Sequence, residues 1–258
     1  MASLQIQNIY KKFPSSGMNT LEEINLEIKS GEFLCVTGPS GCGKTTLLNL
    51  IAGLDVPTSG QILLDGRIVS EPGPDRVVMF QESALFPWLT VIGNVKFGLK
   101  LAGKSNEEQE SIAMHYLKMV QLAHFRNYRI HELSGGMKQR VALARALALD
   151  SKIMLMDEPF AALDKQTKNM LRDEIQNIFT QTKRTVFFIT HSIEEALFFA
   201  DRIIMLSSGP GRIAKEFYVD LPRPRHIAEQ AFIEIRANLL NEIREEVEKS
   251  AKQEYDNS

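Results

Sequence analysis

The chain predicts an α/β fold, a largely parallel sheet covered by helices, and three observations carry that prediction. Short apolar, β-rich runs alternate with segments of helical length, as a sheet built from strand-helix-strand units requires. One of these runs, Phe33-Leu-Cys-Val-Thr37, leads directly into Gly38-Pro-Ser-Gly-Cys-Gly-Lys-Thr-Thr46, which fits G-x-x-x-x-G-K-[ST] without departure. Leu47-Leu-Asn-Leu-Ile-Ala52 then has helical length and stops at Gly53, so strand, glycine loop and helix stand in the order a phosphate cradle needs.

Taken in order, Leu4-Gln-Ile-Gln-Asn-Ile9 and Leu21-Glu-Glu-Ile-Asn-Leu-Glu-Ile28 carry partly alternating apolar residues, with turn chemistry at Pro14-Ser-Ser-Gly17 between them. They are expected to be antiparallel strands ahead of the glycine loop. Within the loop, Gly38, Gly41 and Gly43 let the backbone turn tightly, so that successive N–H groups converge on phosphate oxygens and the next helix adds partial positive charge. Pro39, Ser40, Cys42 and Thr46 complete that cradle. Lys44 is expected to reach the β- and γ-phosphates, and the Thr45 hydroxyl to ligate Mg²⁺. After a turn at Thr58-Ser-Gly60, Gln61 to Gly66 and Val77 to Phe80 read as strands.

From Val91 to about Val120 the pattern turns helical, with Asn94, Phe97, Leu101 and later Ile112, Tyr116, Met119 at mixed i+3 and i+4 spacing. Lys104 to Glu110 is the expected polar break between two helices. Gln139 to Leu149 then reads as a helix, Ile153 to Met156 as a buried strand, Gln166 to Thr180 as a helix and Thr185 to Thr190 as a strand. The tail changes character at Leu221-Pro-Arg-Pro-Arg225, whose prolines favour an extended path. Beyond it Ile227, Ala231, Ile235, Leu239, Ile243 and Val247 fall four apart, marking one face of a long amphipathic helix that packs on the body or on a partner. Glu229, Glu234, Glu242, Glu245 and Glu246 speak against a membrane-surface helix.

Lys plus Arg is 30 and Asp plus Glu is 32, a net charge of −2, so no basic excess draws the chain to nucleic acid. Met1-Ala-Ser-Leu-Gln-Ile-Gln has no charged region followed by an apolar core, and no apolar run approaches the ~20 residues that span a bilayer. A cytoplasmic chain is therefore expected. The two cysteines, Cys35 in the strand and Cys42 in the glycine loop, give no disulfide framework and are expected as free thiols. Cys42, near a helix N-terminus and Lys44, is expected to react readily with alkylating agents.

Four further motifs follow the glycine loop, and their residues resemble those of the ATP-binding subunits of ABC transporters over nearly the whole chain. Gln81 matches that family's Q-loop glutamine, Leu133-Ser-Gly-Gly-Met-Lys-Gln-Arg140 its signature sequence, Met154-Leu-Met-Asp-Glu158 its Walker B strand and His191 its switch histidine. Ala161-Ala-Leu-Asp164 resembles the D-loop, and Phe13 sits where the family places an aromatic against adenine. The resemblance implies an ABC-type P-loop nucleotide-binding domain: a RecA-like parallel-sheet core, an antiparallel β subdomain and a helical subdomain. It places the ATP-binding domain at 1–220, with the helical subdomain about 90–150, and a C-terminal extension at 221–258.

The chemistry fits these residue types. ATP hydrolysis needs phosphates fixed, charge neutralised and one water aimed at the γ-phosphorus. Asp157, ending a buried strand, suits a Mg²⁺-linked carboxylate, joined by resemblance with Gln81 and Thr45, and Glu158 is the residue expected to polarise the water. Asp-Glu-Pro after an apolar strand points both carboxylates at the carboxyl edge of the sheet, where ligands of α/β proteins bind. His191 can contact the γ-phosphate. Ser134, Gly135 and Gly136 open a helix and offer a hydroxyl, bare amides and a helix dipole together. By resemblance they and Gln139 of the same motif serve ATP held by a second copy, so that two ATP lie between two subunits.

Leu85-Phe-Pro-Trp-Leu89 is similar to the nitrate, sulfonate and taurine importer branch, as are Ser208-Gly-Pro-Gly-Arg-Ile213 and Leu221 to Arg225. That branch implies a membrane permease gripped through Gln81 to Leu89, an extracytoplasmic solute-binding protein, and a place on the cytoplasmic face of the membrane. Two alternatives stand beside it: a soluble ABC-type ATPase acting on nucleic acid or ribosomes, and an importer subunit for an unrelated solute. Composition alone makes Leu85, Phe86, Trp88 and Leu89 a core cluster. Pro87 and the resemblance make it a docking patch with Trp88 partly exposed.

Overall fold

A computed structural model describes residues 2–14 and 17–256, with side chains as far as Ile243. Strand β3 (Phe33–Thr37) lies near the middle of a six-stranded sheet, flanked by β8 (Thr185–Ile189) and β9 (Arg202–Leu206). Beyond β8 come β7 (Ile153–Asp157) and β6 (Arg76–Met79), and beyond β9 comes β10 (Ile213–Tyr218). All neighbours are parallel except β10, which runs antiparallel to β9. Every residue of β3, β7 and β8 is buried, which is why these strands read as unbroken apolar runs in the sequence. Register sets Ile189 opposite both Val36 and Asp157, so the carboxyl ends of β3, β8 and β7 come level.

A second sheet is antiparallel, in the order β2 (Asn19–Ile28), β1 (Leu4–Lys12), β4 (Ser59–Leu64), β5 (Arg67–Ile68). Its pairing slips near Asn8 and Glu23, both with positive φ, which interrupts the strict in-out alternation and explains why the sequence alternates only in part. The two-residue strand β5 carries no pattern and is not foreseen. Between this sheet and the large one sits α1 (Lys44–Ala52), and Leu47, Leu48, Leu50 and Ile51 join the core they share.

The other face of the large sheet is covered by α2 (Val91–Leu101), α3 (Asn106–Met119), α4 (Gly135–Ala148), α5 (Lys165–Thr182), α6 (Ile193–Phe199) and part of α7 (Gln230–Asp256). Two helix starts are set by serine caps, and the first differs from expectation. The polar stretch Lys104 to Glu110 is mostly the first turn of α3, because Ser105 Oγ accepts the Glu108 N–H (3.2 Å) while the Glu108 carboxylate takes the Ser105 N–H (2.8 Å). Helix α4 begins at Gly135, four residues before the periodic run from Gln139 but where the Ser134-Gly-Gly136 opening sets it, since Ser134 Oγ caps it by accepting the Met137 N–H.

The tail also departs from expectation. Phe232 and Leu239 are buried, with Ile235 and Ile243 packed beside them, whereas Ala231 is exposed and Ile227 precedes the helix. A step of four residues drifts about 40° around a helix, so the seam follows steps of three and four instead. Val247 and the turn residues Ser15 and Ser16 lie outside the described side chains. Arg225 is 3% exposed. Its guanidinium donates to the carbonyls of Leu197 (2.7 Å) and Ala200 (2.6 Å), closing the end of α6, and burial pulls its pKa down to about 10.

Candidate nucleotide site

The chain leaves β3 at Thr37 and turns through Gly38 (φ 146) to Gly43 (φ 95) before α1 begins. Two glycines are obligatory there by space as well as by φ. A Cβ on Gly38 would stand 2.7 Å from the Leu206 carbonyl, and one on Gly43 would stand 2.6 Å from Leu21 Cδ2. Gly43 is also the N-cap of α1 and offers no side chain to its first turn, which leaves those N–H groups for an anion. Lys44 curls back over the loop, its Nζ donating to the Gly38 (2.9 Å) and Pro39 (2.8 Å) carbonyls. Ser40, Gly41 and Thr45 are exposed and Thr46 is half-buried.

The expectation for Cys42 is overturned. Its side chain is 1% exposed and belongs to the core under α1, because the loop wraps around the sulfur with Lys44 Nζ 3.6 Å away. A position in a glycine loop does not by itself expose a thiol. Cys35 is buried as well, with its thiol pKa pushed well up by burial, and both cysteines are free.

Across from the loop, Thr45 Oγ1 donates to Asp157 Oδ2 at 2.8 Å. Burial raises the Asp157 pKa and the neighbouring Glu158 raises it further, while the Thr45 bond and Lys44 oppose them. Such a carboxylate, costly to keep charged in a dry site, is what a divalent cation would stabilise, so the oxygen donors here fit Mg²⁺. Next in sequence, Glu158 has φ 46, in the left-handed region, and its N–H donates to the Ile189 carbonyl at 3.0 Å. That turn brings Glu158 Oε2 within 3.3 Å of His191 Nδ1. A non-glycine residue in this conformation is held there by its surroundings, as happens at functional sites.

The remaining residues stand around this cluster. Gln81 is exposed just past β6, which pairs with β7. Phe13 follows β1 and is half-buried, with Lys11 Nζ 4.8 Å from its ring centre. Ser134 and Gly135 are exposed at the start of α4, and Gly136 faces the Ala162 carbonyl. Gln139 does not face solvent: it is buried, and its Nε2 donates to the Pro159 carbonyl at 3.2 Å, bracing α4 against the turn after Glu158.

After Gln81, Leu85 packs on the core, Phe86 lies 4.4 Å from the Phe97 ring and Trp88 is 67% exposed. Asn94, fully buried, holds this loop by accepting the Phe86 N–H (2.8 Å) and donating to the Phe86 (3.2 Å) and Thr90 (3.0 Å) carbonyls. Arg145 donates to the Ala84 and Ser83 carbonyls. Asn94 and Arg145 were not foreseen in these roles. The signal for Asn94 was a lone amide inside an apolar helical stripe.

A glycine loop closing the central strand of a parallel sheet, with a buried carboxylate bonded to its threonine, defines a P-loop nucleotide-binding protein. Comparison places it more closely: the chain belongs to the ABC transporter family of ATP-binding cassettes, whose family model matches residues 21–161. It is 51% identical over 251 residues to an uncharacterized ABC transporter ATP-binding protein of Methanocaldococcus jannaschii, covering 96% of this chain and 94% of that one. It is 46% identical to a taurine import ATP-binding protein of Pseudomonas syringae pv. tomato, covering 94% of this chain and 96% of that one. A nitrate import ATP-binding protein of a Synechocystis strain is 52% identical over 202 residues, 78% of this chain and 76% of that one. Among solved structures, the dimeric structure of a bacterial ABC transporter cassette superposes with a TM-score of 0.77 at 35% identity, over 85% of this chain and all of that one. A post-hydrolysis dimer of that cassette bound to ADP and Pi also has a TM-score of 0.77, at 34% identity over the same shares. The fold is the ABC cassette and the protein is an ATPase of that class.

Proposed function

We propose that this ATPase energises import of a small anionic solute such as nitrate, an alkanesulfonate or taurine through a separate membrane permease. The observation that carries the catalytic half is the level alignment of two pairs at one sheet edge, Thr45 with Asp157 and Glu158 with His191. The solute class is supported by the relatives named for taurine and nitrate import. Among the described residues no helix is long and apolar enough to cross a membrane, which agrees with a separate permease. We place the chain on the cytoplasmic face, in a system with an extracytoplasmic solute-binding protein.

In this reading residues 38–46 hold the phosphates of ATP, with Lys44 on the β- and γ-phosphates and Phe13 against the adenine. Thr45, Asp157 and Gln81 would hold Mg²⁺, which when bound neutralises phosphate charge. Glu158 polarises the attacking water and His191 contacts the γ-phosphate. Ser134, Gly135 and Gly136, exposed at the start of α4, face ATP held by a second copy of the chain, and the dimeric solved neighbour supports that pairing. Residues 1–220 form the ATP-binding unit, with a helical subdomain at about 90–150, and 221–258 form a C-terminal extension. The test is to purify the membrane complex that binds the chain, reconstitute it in vesicles and measure ATP-dependent uptake of nitrate, taurine and ethanesulfonate. A complex that hydrolyses ATP but accumulates none of the three overturns the solute class. Recovery of the chain with ribosomes or nucleic acid, and with no membrane protein, overturns the transport role.

A further inference from the structure

His191 is the least self-supporting member of the site. Its side chain is 69% exposed, and the contact that holds the ring is the one to Glu158. Packing does not fix such a ring, so its place depends on the backbone on either side. Both flanking residues, Thr190 and Ser192, are tied to Glu195 in the first turn of α6, Thr190 to its carboxylate and Ser192 to its backbone N–H.

The connections form a closed set. Thr190 is buried, and its Oγ1 donates to Glu195 Oε2 at 2.6 Å while accepting the Ser192 N–H at 3.0 Å. Ser192 Oγ in turn accepts the Glu195 N–H at 3.3 Å, capping α6. The other Glu195 oxygen, Oε1, pairs with Lys168 Nζ at 2.9 Å. Lys168 lies in the first turn of α5, whose N-cap is Asp164, so the same carboxylate also ties down the chain that leads on from Glu158. Glu195 itself is 5% exposed, beside the buried apolar residues Ala196, Leu197, Phe198 and Phe199. A carboxylate in such surroundings is costly unless its charge and its lone pairs are used, and a residue serving only to pack α6 would be apolar.

We propose that Glu195 is a positioning residue for ATP hydrolysis, holding the Thr190–Ser192 turn so that His191 stays opposite Glu158. The inference rests on the role assigned to His191 above. Thr190 is the lever, since its hydroxyl is the group that links Glu195 to the strand end, and Lys168 pairs with the other carboxylate oxygen and aims the group. The short Thr190 bond is of the charge-assisted kind, which gives geometric precision as well as strength.

The experiment compares steady-state ATP turnover, KM for ATP and melting temperature for Glu195→Ala, Glu195→Gln, Thr190→Val, Thr190→Ser, His191→Ala and the His191→Ala/Glu195→Ala double variant. Glu195→Ala and Thr190→Val are expected to lower kcat roughly tenfold or more, with KM for ATP within about twofold of wild type, as misplacement of a catalytic group does. Glu195→Gln and Thr190→Ser, which keep the acceptor and the hydroxyl, are expected to recover most of the rate. The double variant is expected to be no slower than His191→Ala alone, because positioning an absent ring has no effect. Wild-type kcat in Thr190→Val beside a slow His191→Ala overturns the inference and leaves the His191 role standing. Wild-type kcat in His191→Ala overturns that role and this inference with it. Should Glu195→Ala fail to fold, Thr190→Val, with Thr190→Ser as its rescue, decides the question. A lowered melting temperature with unchanged kcat per folded molecule would make Glu195 a purely structural residue.

Discussion

Glu158 Oε2 and His191 Nδ1 lie 3.3 Å apart although one follows β7 and the other follows β8, thirty-three positions later in the chain. The meeting depends on the left-handed turn at Glu158, whose N–H is anchored on the Ile189 carbonyl. Strand pairing thus delivers a carboxylate and an imidazole to one point at the sheet edge.

That geometry makes Glu158→Gln the first test. The amide keeps the shape and the volume but cannot polarise water as a carboxylate does. ATP binding should be retained while turnover falls roughly 10²- to 10⁴-fold, and the ATP-bound dimer should persist in size-exclusion chromatography. Turnover within about twofold of wild type would remove Glu158 from the catalytic role.

Burial of both thiols gives a second test, opposite in outcome to the sequence-based expectation for Cys42. In the folded protein neither Cys35 nor Cys42 should react with iodoacetamide on the timescale of a free thiol, and both should label once the chain is unfolded in guanidinium. Mass spectrometry of the labelled peptides reads the result. Rapid native labelling at Cys42 would mean that the loop opens far enough to release the sulfur from beneath α1.

What was legible in the sequence was what is encoded locally. The glycine loop, the apolar strands β3, β7 and β8 and the Asp157-Glu158 pair at a strand end each follow from a few adjacent residues. Exposure of Trp88 was legible only through Pro87 and the resemblance, since composition favoured a core. Caps are legible unevenly: Ser134 reads as the opening of a helix and caps α4, whereas Ser105 starts α3 inside a polar run that reads as a break. Least legible were charged side chains working inside the fold. Glu195 and Arg225 look like solvent-facing charges in one dimension, and their use depends on Lys168 and on the carbonyls at the end of α6.

Asn94 gives a prediction about the loop that presents Trp88. Asn94→Ala removes the acceptor for the Phe86 N–H and two donors at once, leaving that N–H without its partner and the Phe86 and Thr90 carbonyls with only the Leu89 and Asn94 backbone N–H groups. A stability loss of about 1–3 kcal/mol is expected in urea unfolding, together with faster proteolysis between residues 81 and 90. A stability change under about 0.5 kcal/mol would show that the loop finds other partners and that Asn94 does not set its shape.

The last prediction concerns Trp88. The residue is 67% exposed and its ring lies tilted at 42° to that of Phe86, with centroids 5.4 Å apart, while its own carbonyl accepts from Arg129 Nη1 at 2.8 Å. The backbone is therefore held and the ring is offered outward, beside a half-buried Phe86 that Phe97 and Arg145 support. An anchored backbone with a free aromatic ring is what a binding hot spot needs, because little further ordering is required when the partner arrives. For the folding of the chain itself the exposed ring contributes little. Trp88→Ala should thus leave the melting temperature within about 2 °C of wild type and basal ATP turnover unchanged, yet weaken association with the permease by roughly 2 kcal/mol or more. Binding of the two proteins to permease-containing nanodiscs measures this directly. Unchanged affinity for the permease, with the variant folded, would place the docking surface elsewhere on the chain.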